Sequence, residues 1–169
     1  VAKVNFAAGD IAYWCKSAGP GHNFRGKLEN LPEFLRELWQ RHGTTDQILF
    51  GDQRPMHLIA IEEARKQGIR NHVLEEGYFR PFWITLEREG VNGYSLLPQD
   101  ADWYRDVGGR LPQPARPKRF RSSFNRRARH DVLYHLAGLG NPLMFPRYRT
   151  HAPVTAPVEY AGYIKRFTQ

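Results

Sequence analysis

A single cysteine, Cys15, stands in 169 residues, so no internal disulfide can form and a reducing compartment is the simplest setting. Its neighbours Tyr13 and Trp14 suit a buried thiol better than a nucleophile. Long apolar runs are missing too. No stretch approaches the roughly 20 residues of a membrane span, and nothing resembles a secretory signal. Also lacking are a Gly-rich Walker loop, a serine elbow, a catalytic triad and paired histidines at metal spacing. Any chemistry therefore rests on carboxylates assisted by Arg and His.

Positive charge is plentiful. Lys and Arg number 25 against 17 Asp and Glu, a formal net charge of +8. That surplus points to an anionic partner: nucleic acid, an anionic membrane surface, or a phosphorylated or acidic sugar. Aromatic residues make up 13%, high for a disordered basic tail, so most of the chain is expected to fold. The length suits one domain with a real core.

Val1–Phe6 alternates apolar and polar residues and predicts a first strand. It runs into Ala7-Ala8-Gly9-Asp10, either a plain turn or one that brings backbone N–H groups and Asp10 to a ligand. Ser17–Lys27 reads as a loop. Asn30 is placed to cap a helix with Pro32 in its first turn, and Leu31, Phe34, Leu35, Leu38 and Trp39 form its inner face. Gln47–Phe50 predicts a strand, Pro55–Gln67 a helix closed by Gly68, and Ile69–Leu74 another strand. Together these make a parallel crossover unit. Between them, Gly51-Asp52-Gln53-Arg54 sits at a strand's carboxyl end. Asp52, Arg54 and His57 either share a rim with the acids described next, or serve as helix cap, solvated cation and packing residue.

The centre of the chain is His72–Ser95, HVLEEGYFRPFWITLEREGVNGYS. An apolar strand delivers Glu75 and Glu76 to its end, and Gly77 and Pro81 break the pairing. Open α/β sheets place ligands at such ends. Taken alone, the pair also fits two surface acids beside a turn. Tyr, Phe and Trp around Arg80 favour a partly dry cleft, where an acid and a guanidinium interact strongly.

Beyond it, Ser95–Arg105 reads as loop, and Asp100 with Asp102 lacks the His or Cys that would complete a metal set. Residues 1–107 are expected to form the core, 108–121 a Pro/Arg-rich linker, and 122–169 a helical segment packed on the core. Seven cations fall within Arg116–Arg129, among them Arg119, Arg121, Arg126 and Arg127. Such a run is either solvated surface or a phosphate-attracting face. Near an anionic bilayer each cation adds on the order of 1 kcal/mol. Charge alone would serve nucleic acid equally, but no RNP, zinc-finger or helix-turn-helix pattern accompanies it. Thr155 and Pro157 open a last helix with Tyr160, Tyr163, Ile164 and Phe167 on one face. That face needs a partner surface, and the chain opens on Val1 rather than Met; both are expected of a piece of a longer protein.

The motif EEGYFRPFWITLEREGVN resembles the signature of the bacterial capsule polysaccharide Kdo transferases. The likeness extends to Asn5-Phe6, Gly9-Asp10, Phe50–Arg54, His57 and Leu97-Pro98, and more loosely to Phe145–Arg149, where Thr150 and Ala152 interrupt the family's basic stretch. The resemblance implies a Rossmann-like parallel sheet with flanking helices, like the N-terminal, acceptor-side half of a GT-B glycosyltransferase. It implies transfer of β-Kdo from CMP-Kdo to a glycerophospholipid, at the cytoplasmic face of the inner membrane, without cofactor or metal. Glu76 would be the nucleophile of a retaining reaction, with Glu75 in reserve. Arg80 would bind the sugar carboxylate or an acceptor phosphate. Asp10, Asp52, Arg54 and His57 would contact substrate, and Glu87 and Asn92 would do so while holding the loop. Arg119, Arg121, Arg126 and Arg127 would meet membrane or phosphate. Family members carry a second, nucleotide-binding half, so neither catalysis nor tight CMP binding is expected of these 169 residues alone. The competing expectation is a non-catalytic basic module for anionic phospholipid or RNA.

Overall fold

Strands and helices alternate in the computed structural model, which describes residues 1–14, 19–77, 82–113, 115, 123–149 and 156–167. In order they are β1 (Lys3–Asn5), α1 (Ala8–Ala12), β2 (Gly21–Asn23), α2 (Leu31–His42), β3 (Asp46–Phe50), α3 (Pro55–Lys66), β4 (Arg70–Glu76), β5 (Ile84–Arg88), α4 (Ala101–Arg110), α5 (Phe124–Gly138), α6 (Asn141–Met144) and α7 (Ala156–Phe167). The architecture is mixed α/β, with parallel strand pairs flanked by helices, in keeping with the Rossmann-like expectation. Two compact units result: Asn30–Arg121, and Val1–Glu29 with Ser122–Gln169.

In the first unit β3, β4 and β5 form one sheet in that order. β3 and β4 are parallel, joined through α3 as the sequence predicts, and β5 returns antiparallel with Leu74 opposite Leu86 and Glu76 opposite Ile84. Strand alternation sorts the side chains. Leu49, Asn71 and Val73 are buried on the side covered by α3, whereas Ile48, Phe50, Ile84 and Leu86 are exposed on the other. On α2, Leu31, Leu35, Leu38 and Trp39 are buried, and Gly43 ends the helix in the left-handed conformation at φ 57°.

Polar side chains lock the covered side. Asn71 is wholly buried; its Nδ2 donates to Glu89 at 2.7 Å and to the Ile61 carbonyl at 3.3 Å. Its Oδ1 accepts from Gln47, which also donates to the Ala60 carbonyl. Glu89 further accepts from Arg65 at 2.9 Å. Burial pushes the Glu89 carboxyl up, but the hydrogen bonds from Asn71 and Arg65 outweigh it and hold the group below its ordinary value. Glu89 itself has φ 70°, a conformation few non-glycine residues adopt.

Two sequence expectations are corrected here. Asn30 has helical dihedrals and makes no side-chain cap, because the chain already turns before α2. Residues 101–105, expected as loop, begin α4. The acids considered for a metal build that helix: Asp100 caps it by accepting from Asp102 N–H at 2.9 Å, and Asp102 pairs with Arg105.

In the second unit β1 and β2 pair in parallel, with Asn5 Nδ2 donating to Asn23 at 3.0 Å; β2 lies inside the segment expected as loop. Asp10 accepts the Phe6 and Ala7 N–H groups at 2.8 and 3.0 Å and so closes the β1–α1 turn. α1 packs against α5 so closely that a Cβ on Gly9 would lie 2.4 Å from Cε2 of Tyr134. The missing side chain is thus filled by an aromatic ring. Tyr160 of α7 donates to Asp131 of α5 at 2.6 Å, and that bond pushes the phenol up to about 12.

Candidate active site at the carboxyl ends of β3 and β4

β3 ends at Phe50 and β4 at Glu76, side by side because the strands run parallel. The loop after β3 turns back through Gly51, whose φ of 74° favours glycine and whose N–H donates to the Leu74 carbonyl at 2.7 Å. His57, on the first turn of α3, donates from Nδ1 to the Gly51 carbonyl at 2.8 Å. This holds the loop to the helix and sets the imidazole tautomer. Arg54, the residue before α3, is exposed.

Asp52 does not cap α3, which begins at Pro55 without a side-chain cap. Instead it is only 2% exposed, and its Oδ2 accepts the Val91 N–H at 2.8 Å while Oδ1 accepts from Gln53 at 2.9 Å. A buried carboxylate is tolerable only with such donors. Asp52 therefore ties the β3–α3 loop to the segment after β5.

Glu75 and Glu76 leave the strand on opposite faces. Glu75 follows Val73 onto the covered side, half-buried, where Oε1 accepts the Glu76 N–H at 3.0 Å. Its Oε2 lies 3.5 Å from where a Cβ on Gly51 would sit. Glu76 is exposed on the open face, opposite Ile84 in register. Gly77 closes the turn, its N–H donating to the Trp83 carbonyl at 3.1 Å. Glu87 accepts the Ser95 hydroxyl, whose oxygen in turn accepts the Leu97 N–H at 3.2 Å. Asn92, with φ 53°, starts the short turn Asn92–Tyr94. Both therefore shape the segment after β5.

The structure thus places Glu75, Glu76, Asp52, Arg54 and His57 at the carboxyl ends of β3 and β4, whereas Glu87 lies further along β5, opposite Val73. Asp10 belongs to the other unit, where its carboxylate serves the β1–α1 turn. Arg80, Arg119 and Arg121 lie outside the described residues; Arg126 and Arg127 are exposed on α5. Sequence reasoning overlooked Ser95, Gln53 and the Gln47–Asn71–Glu89 network. An Asn at the inward position between Ile69 and Val73 was the available signal for the last.

Acids and a histidine gathered beyond the carboxyl ends of parallel strands define an α/β protein with a carboxylate-centred candidate site. Residues 45–169 match the family described as capsule polysaccharide biosynthesis protein, and the chain belongs to that family. It is 35% identical over 153 residues to the capsule polysaccharide modification protein LipB of Neisseria meningitidis serogroup B, covering 89% of this chain and 36% of that one. It is 40% identical over 141 residues to the capsule polysaccharide export protein KpsS of Escherichia coli, covering 82% of this chain and 35% of that one. The chain thus spans about a third of the length of these relatives. No solved structure matches it significantly. Membership supports a role in capsule polysaccharide biosynthesis.

Proposed function

We propose that this chain is the acceptor-side part of a retaining glycosyltransferase that passes β-Kdo from CMP-Kdo to a glycerophospholipid at the inner membrane surface. The observation that carries the reading is the pair Glu75 and Glu76 at the end of a strand parallel to the one that delivers Asp52 and Arg54. Glycosyl transfer passes through a cation-like sugar, which a flanking carboxylate can stabilise or trap. In the first step the exposed Glu76 carboxylate attacks the anomeric carbon, and the bonding pair leaves with CMP. In the second, the lipid hydroxyl oxygen displaces Glu76 and gives its proton to a base or solvent. Two inversions preserve the β configuration.

Glu75 orients the strand end through the Glu76 N–H and supplies a second negative charge. Arg80 holds the sugar carboxylate, and Arg54 receives an acceptor phosphate, both suited by their planar forks. Asp52 and His57 position the Arg54 loop, and Glu87 and Asn92 position the segment after β5. Arg119, Arg121, Arg126 and Arg127 face the phospholipid surface, and a second domain holds the nucleotide.

The test is Glu76→Gln in a full-length protein carrying this sequence. Transfer is expected to fall at least about a thousandfold with folding intact, and a Kdo adduct on Glu76 should be trapped by mass spectrometry. Unchanged transfer removes Glu76 from the mechanism. Unchanged transfer in Glu75→Gln as well places the chemistry outside this acid pair and leaves these 169 residues the role of a basic module that binds anionic phospholipid or RNA.

A further inference from the structure

Helix α5 is held within its own unit by α1 on one side and by α7, through Tyr160 against Asp131 and His135, on an adjoining one. The Tyr13 hydroxyl donates to the His130 carbonyl at 2.9 Å, the Tyr134 hydroxyl points to Asp10, and the Tyr134 ring covers Gly9. Away from those sides, Val132, Leu136 and Leu139 follow one another at four- and three-residue spacing, with Phe124 and Leu133 alongside. All five are exposed, Leu139 by 76%. Arg126, Arg127 and Arg129 are exposed on the first half of the same helix. The one carboxylate on α5, Asp131, is engaged by Tyr160. On the neighbouring α7, Tyr163 and Ile164 are exposed near Lys165 and Arg166, while its first turn carries the exposed carboxylate of Glu159.

An apolar stripe free of acids and bordered by guanidiniums complements a surface that is apolar below and anionic above. No helix among the described residues is long and apolar enough to cross a membrane, so α5 would lie along the surface rather than span it. We propose that α5 seats in the interface of an anionic bilayer, with Val132, Leu133, Leu136 and Leu139 below the phosphates and Arg126 and Arg129 paired with them. The inference deepens the transferase reading and rests on it for the choice of a lipid partner.

Flotation of the 169-residue chain with phosphatidylglycerol-containing vesicles tests it, with pure phosphatidylcholine vesicles as the control. The chain is expected to float with the anionic vesicles only. Leu136→Gln with Leu139→Gln should lower partitioning about tenfold or more, since two buried apolar side chains are lost. Arg126→Gln with Arg129→Gln should lower it too, and added salt should weaken the wild type. Circular dichroism checks that the variants fold. A wild type that stays at the bottom, or leucine variants that float like it, overturns the proposal. So does RNA retardation without flotation, or a concentration-dependent dimer that the leucine changes abolish.

The transferase reading fails separately. In the full-length protein, Glu76→Gln should float normally and transfer nothing. Leu136→Gln with Leu139→Gln should keep transfer to detergent-dispersed acceptor. Transfer by Glu76→Gln with flotation lost only in the leucine variants would keep the membrane surface and discard that catalytic role.

Discussion

The carboxylate of Asp52 accepts the backbone N–H of Val91 at 2.8 Å, across 39 residues of sequence. This one bond joins the loop after β3 to the end of the family-like motif, and both partners are buried. The acid before α3 thus has an architectural use within a candidate site.

Asp52→Leu is expected to destabilise the chain by about 1–3 kcal/mol, because the Val91 N–H is left buried without an acceptor. Asp52→Asn keeps an acceptor oxygen and should lose less. Urea denaturation of both variants measures the difference; equal losses would mean that the negative charge, not the hydrogen bond, is what matters.

Glu89 makes a pH-dependent contribution. Its carboxyl is held below the ordinary 4.5 in the folded chain, so the unfolded chain takes up a proton first as the solution is acidified. The contribution is therefore full above the unfolded value and is lost as pH falls through the folded one. Glu89→Gln should flatten the decline of stability on the acid side while lowering stability at neutral pH. Denaturation midpoints across an acid series check this. A parallel decline in wild type and variant would remove Glu89 as a source.

Gly9 and Tyr134 form a steric pair that a double-mutant cycle can expose. Gly9→Ala places a methyl where the ring lies, and overpacking of this kind costs roughly 1–3 kcal/mol. Tyr134→Ala alone should also destabilise. Combined, the two should lose less than their sum. Simple additivity would show that α1 and α5 adjust independently.

The β3–α3–β4 unit was legible because apolar runs, a proline-opened helix and Gly68 all agree locally. The candidate acids were legible for the same reason, since strand ends in such units carry them. By contrast α4 presents no buried residue, so it has no apolar period to read and is held by capping and ion pairs. β5 alternates with its apolar residues on the exposed face, the reverse of the usual signal. The roles of Asn71 and Asp52 were invisible, because each depends on a partner distant in the chain.

Ala8 donates its N–H to Asn141 at 2.8 Å, 133 positions further along. On a ribosome, the opening residues would leave the tunnel long before this partner is made. Asn30–Arg121 holds its sheet contacts within one continuous stretch and can settle early. The first strand and helix must meanwhile wait, solvated or chaperoned, until residues 122–169 arrive, so slowed translation or truncation ahead of them should harm the split unit first.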